Sequence, residues 1–568
     1  MNDSSLWIIL QRMRLPFVVI TVTYTIAMIG LILIPGLDDQ GNIYHISIFD
    51  AFYFVTYTAT TIGYGELPFP LTYDQKIWVS VSIYLTVLGW FYGIGALVSL
   101  LQDKLFLSEI AIARFKRSVN NVKEDFIIVL GYNETTSEII KIMLKAKMRV
   151  VVIEKDQTRA DYLMLEGFIP HVPVLVKDAH NPTSLEFAGI KSNNCKGVVS
   201  LFESDILNLR ITLASKLLNP RVNVVVKSTT QEQTVNLLDV GADIVDNPFL
   251  IISYQIQMAL KAPSLFKLEN WLYETHMLDA KTFSIPNEDI IICGFGRLGK
   301  NLYKMFKSHD INPQIIEIDT NKVEEAIHDG VENIICGSAE NKHHLKKANV
   351  NESKLVIVAT QNDTTNLSIV STIRKLNKDT IIIIRENEIS DFSIFAHAKI
   401  DHIFIPEQIL IHKTTNAISN PLSDRLIRLI TSKDEQWGQS LLSKLVKSIS
   451  INPLKYELNI NKDESCEIYN YLKNEENIIT LKTLKSSRRD RKQHNNIFPL
   501  LIVRDGEDIL LPSEDFELKI DDKILFACDE NAIEDLQYIA NNTYEFHYII
   551  TGEEKKNFIS FINKKDSK

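Results

Sequence analysis

At 568 residues the chain has material for about three to five compact units, so a single small catalytic domain is excluded. With 45% hydrophobic and 23% charged residues its composition is globular, and a balance of 61 Lys+Arg against 71 Asp+Glu, net −10, argues against a surface built for nucleic acid. The five cysteines (Cys195, Cys293, Cys336, Cys466 and Cys528) stand singly, with no C-x-x-C pair, which excludes a disulfide framework and a structural zinc site and suits a reducing compartment.

The first elements are two membrane spans. No charged residue occurs from Leu15 to Leu37 or from Ile77 to Leu101, and each run exceeds the ~20 residues that cross a hydrocarbon core as helix. Arg12 and Arg14 precede the first run, and Lys104, Arg114, Lys116 and Arg117 follow the second. The stretch between carries Asp38, Asp39, Asp50, Glu66 and Asp74 against Lys76 alone. By the positive-inside rule residues 38–76 face outward, and both termini lie on the cytoplasmic side of a cell membrane. The first span reads as a retained anchor, since no small-residue cleavage site follows a short apolar core.

Between the spans, Ile43–Thr61 is too apolar and aromatic for an exposed loop, and Ser47-x-x-Asp50 reads as a capping box opening a short helix. At its end stands Thr58-Ala-Thr-Thr61-Ile62-Gly63-Tyr64-Gly65-Glu66. Irregular backbone at membrane depth survives only where protein buries it or water lines it. This segment resembles the selectivity-filter signature of potassium channels, T-x-x-T-x-G-Y-G, at every fixed position. The resemblance implies that carbonyls of Thr61, Ile62, Gly63 and Tyr64 and the Thr61 hydroxyl replace the hydration shell of K+, closed off by Gly65. One chain supplies one face of each oxygen ring, so a homotetramer in the lipid bilayer is implied. Glu66 stands at the pore mouth, where the family often has Asp. Of Gly89, Gly93 and Gly95 in the second span, the resemblance makes one a gating hinge, while close helix packing is the rival explanation.

Downstream, strand-like and helix-like runs alternate as a doubly wound α/β domain requires, and the pattern occurs twice. Asp125–Gly131 is answered by Asp289–Gly294, Val151–Glu154 by Ile316–Asp319, and Gly241–Pro248 by Lys399–Pro406, at offsets of about 158 to 165 residues. The second copy carries Gly294-Phe295-Gly296-Arg297-Leu298-Gly299 between a strand and a helix pattern. Asp319 follows, with Glu317 as the alternative acid. That is the dinucleotide fingerprint: glycines admit a pyrophosphate to a helix N-terminus, and the acid meets a ribose hydroxyl, which favours NAD over NADP. The first copy keeps Gly131 and Glu154 but has Asn133 and Thr136 where phosphate and packing need empty space, so it reads as a scaffold without nucleotide.

Paired units of this kind after a channel hairpin resemble the RCK domains, regulators of potassium conductance. The expected architecture is a transmembrane pore (1–101), a helical linker (102–123), a first Rossmann lobe (124–262), connecting helices (263–287), a second Rossmann lobe (288–422) and C-terminal helices with a small α+β lobe (423–568). Pro499–Gln537 is its strand-rich part, Trp271 onward a crossover that docks the two copies, and Ser486–Gln493 a solvated loop. The resemblance implies a ligand-gated potassium channel, with NAD or another adenine nucleotide in the second copy; many relatives are gated by calcium (Ca2+), for which the loop acids Asp178, Glu203 and Asp205 are candidates, although loop acids are usually just solvated. A regulatory subunit of a potassium transporter and an NAD-dependent oxidoreductase are the alternatives. No enzyme activity is expected, since no substrate domain accompanies the Rossmann units. His343-His344 reads as a surface pair.

Overall fold

A computed structural model describes residues 3–274, 277–278, 283–387, 395, 397–474 and 476–555. The chain divides into a membrane unit, Met1–Lys123 with Phe187–Gly189, and a larger unit, Glu124–Glu186 with Ile190–Lys568.

In the first unit, helices Asp3–Leu33 and Tyr73–Gln102 each contain an apolar stretch long enough to cross a membrane; the 21 residues Met13–Leu33 rise about 32 Å as helix. A third helix, Ile48–Ala59, lies between them in sequence. Ser47 caps it, its Oγ accepting the Asp50 N–H at 3.1 Å and donating to the Asp50 carboxylate at 2.7 Å. Ala51, Phe54, Val55 and Tyr57 of this helix pack against Ala27 and Leu31 of the first span and Val79 of the second. The spans approach closely because Gly30 has no side chain: a Cβ there would overlap the Trp78 ring, whose Nε1–H donates to the Ala27 carbonyl at 3.0 Å. Leu15, Phe17, Val22, Tyr84 and Leu88 point outward, as lipid or a neighbouring chain requires. Helix Lys104–Asn120 occupies the expected linker, capped by Asp103 on the Phe106 N–H.

In the second unit each copy forms a six-stranded parallel sheet in the order third, second, first, fourth, fifth, sixth. In the first copy Ile128 pairs with Val151 and Val198; in the second, Ile292 pairs with Ile315 and Ile357. The strands Phe126–Leu130 and Ile290–Cys293 are buried at every residue, as a sheet covered on both faces demands.

The covering helices correct the expected boundaries at 262 and 422. Helix Pro248–Lys261, which follows the sixth strand of the first copy, buries Phe249, Ile252, Ile256 and Ala259 among Ile290, Ile292 and Leu302 of the second. Reciprocally, helix Pro406–Ser419 places Ile411 among Ile127, Val129 and Ile140 of the first. Each lobe would expose an apolar face without its twin, so the two form one exchanged body. Burial of about 1.5 to 3 kcal/mol per large side chain favours the exchange.

Trp271 is corrected too. Helix Pro263–Leu272 packs Leu265, Leu268 and Trp271 onto Leu422, Leu426, Leu500 and Leu525, and the Trp271 Nε1–H donates to the Pro453 carbonyl at 2.8 Å. Trp271 thus docks on the C-terminal part, while Phe266 of the same helix lies in the core of the second copy. Residues 275–276 and 279–282 of the connecting segment and 556–568 of the C-terminal region lie outside the described residues.

The small lobe is larger than Pro499–Gln537. Its antiparallel sheet orders strands Leu454–Asn459, Lys523–Cys528, Ile497–Arg504 and Glu507–Leu510, covered by helices Cys466–Leu472, Glu530–Asn541 and Thr543–Thr551. The basic run is only partly solvated, because Arg488 lies 4.3 Å over the Tyr538 ring and pairs with Glu534 and Asp535.

Glu457 on the first of these strands accepts the N–H groups of Leu422 and Ser423 at 3.1 and 3.3 Å, yet burial outweighs them and pushes its carboxyl up to about 7. A raised folded pKa on an acid adds stability that is complete below the unfolded value near 4.5 and is lost as pH rises through about 7. Amide exchange of strand Leu454–Asn459 is therefore expected to report a local destabilisation on the order of 2 kcal/mol between pH 5 and pH 8. Glu457→Gln should remove that pH dependence; an unchanged dependence would refute the assignment.

Candidate functional site

The membrane unit ends its short helix at Thr60 and turns through Thr61, Gly63 and Gly65 at φ of 63°, 68° and 72°, while Ile62 and Tyr64 keep negative φ. Left-handed backbone costs little at glycine, but for the β-branched Thr61 it is a true outlier, of the kind that gathers at functional sites. The helix holds both ends of the turn. Tyr57 carbonyl accepts the N–H groups of Ile62 and Gly63 at 2.9 and 3.2 Å. The Tyr53 hydroxyl donates to Glu66 Oε2 at 3.1 Å, and Tyr57 donates to the Glu66 carbonyl at 3.4 Å. Between these anchors the backbone is exposed in the single chain, and a Cβ on Gly63 or Gly65 would meet nothing within 4 Å.

The three glycines of the second span separate by their surroundings. A Cβ on Gly89 would lie 2.7 Å from Thr23 Oγ1, and one on Gly93 would meet the Ile20 side chain, so close packing accounts for both. Gly95 has no neighbour within 4 Å and keeps no packing reason within one chain.

The second copy contains a cleft of about 280 Å³ at the carboxyl ends of its strands, lined by Gly294, Gly296, Glu317, Lys322, Gln361 and Arg385 among others. Gly294 has φ of 102°, and a Cβ on it would press on the Ala359–Thr360 backbone at 3.1 to 3.3 Å. A Cβ on Gly299 would overlap the Gly294 carbonyl oxygen, so the third glycine lets the helix lie on the strand. Gly296 is the N-cap of helix Arg297–Lys307, with no side chain satisfying the first N–H groups and open space beside it. Such an end favours an anion. Phe295 and Leu298 point away from the cleft into the core.

The two acids have different tasks. Glu317 lines the cleft at the end of its strand, accepting the Phe295 N–H at 2.5 Å and the Asp319 N–H at 2.9 Å. Asp319 instead caps helix Thr320–His328, accepting the Asn321 N–H at 3.0 Å. Of the two, Glu317 lines the cleft and Asp319 caps the following helix. Glu154 in the first copy makes the same pair of bonds, to Tyr132 at 2.6 Å and Asp156 at 2.8 Å.

The first copy differs at the helix end. Asn133 accepts the Thr136 N–H at 2.9 Å and Thr136 Oγ1 accepts the Asn133 N–H at 2.8 Å, so the helix N-terminus is closed by its own side chains. The helix end at the second cleft is left without a side-chain cap, and that of the first is capped.

Arg385, Lys322 and Gln361 are cleft residues without a sequence motif. The repeat could have found Arg385, since it ends the fifth strand as Lys227 does in the first copy. Its guanidinium lies 4.8 Å from the Phe249 ring, with Arg297 on the same ring at 4.5 Å; burial holds Arg385 below its usual pKa. Arg297 also reaches Glu203 at 3.6 Å, and Glu203 pairs with Lys227.

The calcium candidates are all engaged by neighbouring groups. Glu203 is engaged by Lys227 and Arg297, Asp205 accepts the Thr229 N–H at 3.0 Å, and Asp178 pairs with His180 and with Lys155 at 3.0 Å. Among the described residues no three His, Cys, Asp or Glu groups converge on a metal position. His344 is more than a surface residue: its Nδ1 lies 3.0 Å from the Ser338 carbonyl, under the Gly337–Ser338 turn that lines the cleft.

Comparison with known proteins matches residues 13–103 to the ion channel family, and 127–248 and 290–406 to the TrkA-N domain. The chain belongs to the membrane proteins in which a two-span ion-channel segment is followed by tandem TrkA-N domains. Potassium channel protein 1 of Methanocaldococcus jannaschii is 24% identical over 281 residues, 49% of this chain and 80% of that protein. An uncharacterized protein of Methanothermus fervidus is 28% identical over 247 residues, 44% of this chain and 38% of that protein, so the chain spans about two fifths of that relative. Among solved structures the GsuK channel is 12% identical, with coverage of 97% of this chain and 100% of that one at a TM-score of 0.48.

Proposed function

We propose that the protein is a potassium-selective channel, a homotetramer whose conduction is gated by NAD or a related adenine nucleotide in the second TrkA-N lobe. The observation that carries the channel reading is the backbone of residues 61–65. Alternating signs of φ are what a chain needs if successive carbonyls are to face one side, as dehydration of K+ requires. Thr61 to Gly65 would form the filter, Glu66 its negative mouth, and Gly95 the hinge.

The nucleotide reading rests on the uncapped helix at Gly296 and the strand-end carboxylate of Glu317. These residues fit the group: the N–H groups behind Gly296 would take the phosphates, Arg385 and Lys322 would balance their charge, and Glu317 keeps lone pairs for a ribose hydroxyl. Gating needs only that nucleotide bind one arrangement of the exchanged lobes better than another, with helix Lys104–Asn120 as the covalent link to the pore.

Assembly through the first lobe is supported by its exposed stripe. Ile206, Leu213 and Leu217 are 74%, 42% and 82% exposed on one helix, whereas 158 residues later the twin helix carries Thr364, Ser371 and Lys375. Leu213→Glu with Leu217→Glu should reduce the tetramer to smaller species by light scattering; an intact tetramer would move the interface elsewhere. The nucleotide claim is tested by equilibrium dialysis of NAD+ and ADP against the full chain. Saturable binding that is lost in Gly296→Asp supports it, and equal binding in the variant refutes it.

A further inference from the structure

A second cavity, used by neither the pore nor the nucleotide cleft, lies among the described residues. It measures about 530 Å³ and opens where helices Pro248–Lys261, Pro263–Leu272, Pro406–Ser419 and Pro421–Ile430 meet, within the range of sites for small metabolites. No residue lining it also lines the cleft at Gly296.

Its chemistry is two-sided. Ile251, Met258, Leu265 and Ile427 give an apolar wall. Lys261, Lys413, Arg428 and Lys433 bring four cations against a single carboxylate, Glu269. Arg428 is paired with Asp424, but Lys261 and Lys433 have no ion-pair partner among the described residues. Glu269 is only 4% exposed, and Asp246 and Asp424 lie near Lys413 and Arg428, so the unbalanced cations are Lys261 and Lys433. At the inner end Tyr273 is 6% exposed and its hydroxyl has no hydrogen-bond partner among the described residues, with the Lys413 ammonium 5.9 Å over its ring. A buried hydroxyl without a partner is costly, and a ligand acceptor would relieve it.

We propose that this cavity is a second ligand site, for a small organic anion with an apolar body and a phosphate or carboxylate head. The head would meet the lysines and the Tyr273 hydroxyl, and the body the aliphatic wall. Because the site lies on both exchanged helices, its occupant would bear on the packing of one lobe against the other.

The test uses the full chain in lipid nanodiscs, titrated with 1-naphthyl phosphate and 1-naphthoate, and with 1-naphthalenemethanol as the neutral control. Saturable binding of either anion, at least tenfold tighter than the alcohol, is expected, and the tighter one assigns the head. Lys261→Glu with Lys433→Glu should weaken it at least tenfold and Tyr273→Phe about threefold, while Gly296→Asp leaves it unchanged. Both lysines are exposed, so the fold should tolerate their replacement, and the milder Lys261→Gln with Lys433→Gln should fall between. No saturable binding up to millimolar anion, or binding indifferent to the lysine substitutions, would overturn the proposal. The outcome is independent of whether NAD binds at Gly296.

Discussion

Gly63→Ala is expected to abolish potassium-selective current while leaving the tetramer and its nucleotide binding intact. Gly63 holds φ of 68°, where an L side chain costs about 1 to 2 kcal/mol per chain, and four chains would carry the strain at one ring of oxygens. There is no clash to invoke, since a Cβ would meet nothing within 4 Å in the single chain. The loss would come from relaxation of the carbonyl geometry. Gly95→Ala is the control for the second span: open space surrounds it, so current should persist, with changed open probability if it is the hinge. Potassium-selective current in Gly63→Ala would exclude residues 61–65 as the filter.

Gly299→Ala should have the largest effect on the soluble unit. The added methyl would overlap the Gly294 carbonyl, a backbone atom that cannot swing aside, so helix Arg297–Lys307 must move off strand Ile290–Cys293. Leu298 and Leu302, both buried, move with it. A cost of about 3 kcal/mol or more is expected, with loss of nucleotide binding and faster limited proteolysis within 290–307. A finer pair separates the acids: Glu317→Gln should weaken nucleotide at least tenfold, whereas Asp319→Asn, which keeps the cap, should change it less than threefold. The reverse order would restore Asp319 as the ribose acid.

Much of this was legible in sequence because the relevant signals are local. The uncharged runs, the G-Y-G turn and G-x-G-x-x-G each sit within a few residues, and the repeat offset exposes the duplication. What escaped was decided by partners far along the chain. The exchange of helices Pro248–Lys261 and Pro406–Ser419 depends on which apolar face lacks a cover, and no local pattern carries that. Asp319 and Glu317 lie two residues apart, so the capping bond to Asn321 and the lining of the cleft are needed to tell them apart. Glu203 looked like a free loop acid until Lys227 and Arg297, 24 and 94 residues away, were found against it. The packing roles of Gly89 and Gly93 depend on Thr23 and Ile20 of the other span.

The measurement that tests the central claim most directly is the purified chain in a planar bilayer under a potassium gradient, with NAD+, NADH, ADP and calcium added singly to the side bearing the soluble unit. The account predicts reversal near the potassium potential and an open probability that a nucleotide changes, with the nucleotide effect lost in Gly296→Asp. Current that does not discriminate potassium from sodium, or a nucleotide response retained in Gly296→Asp, would contradict it.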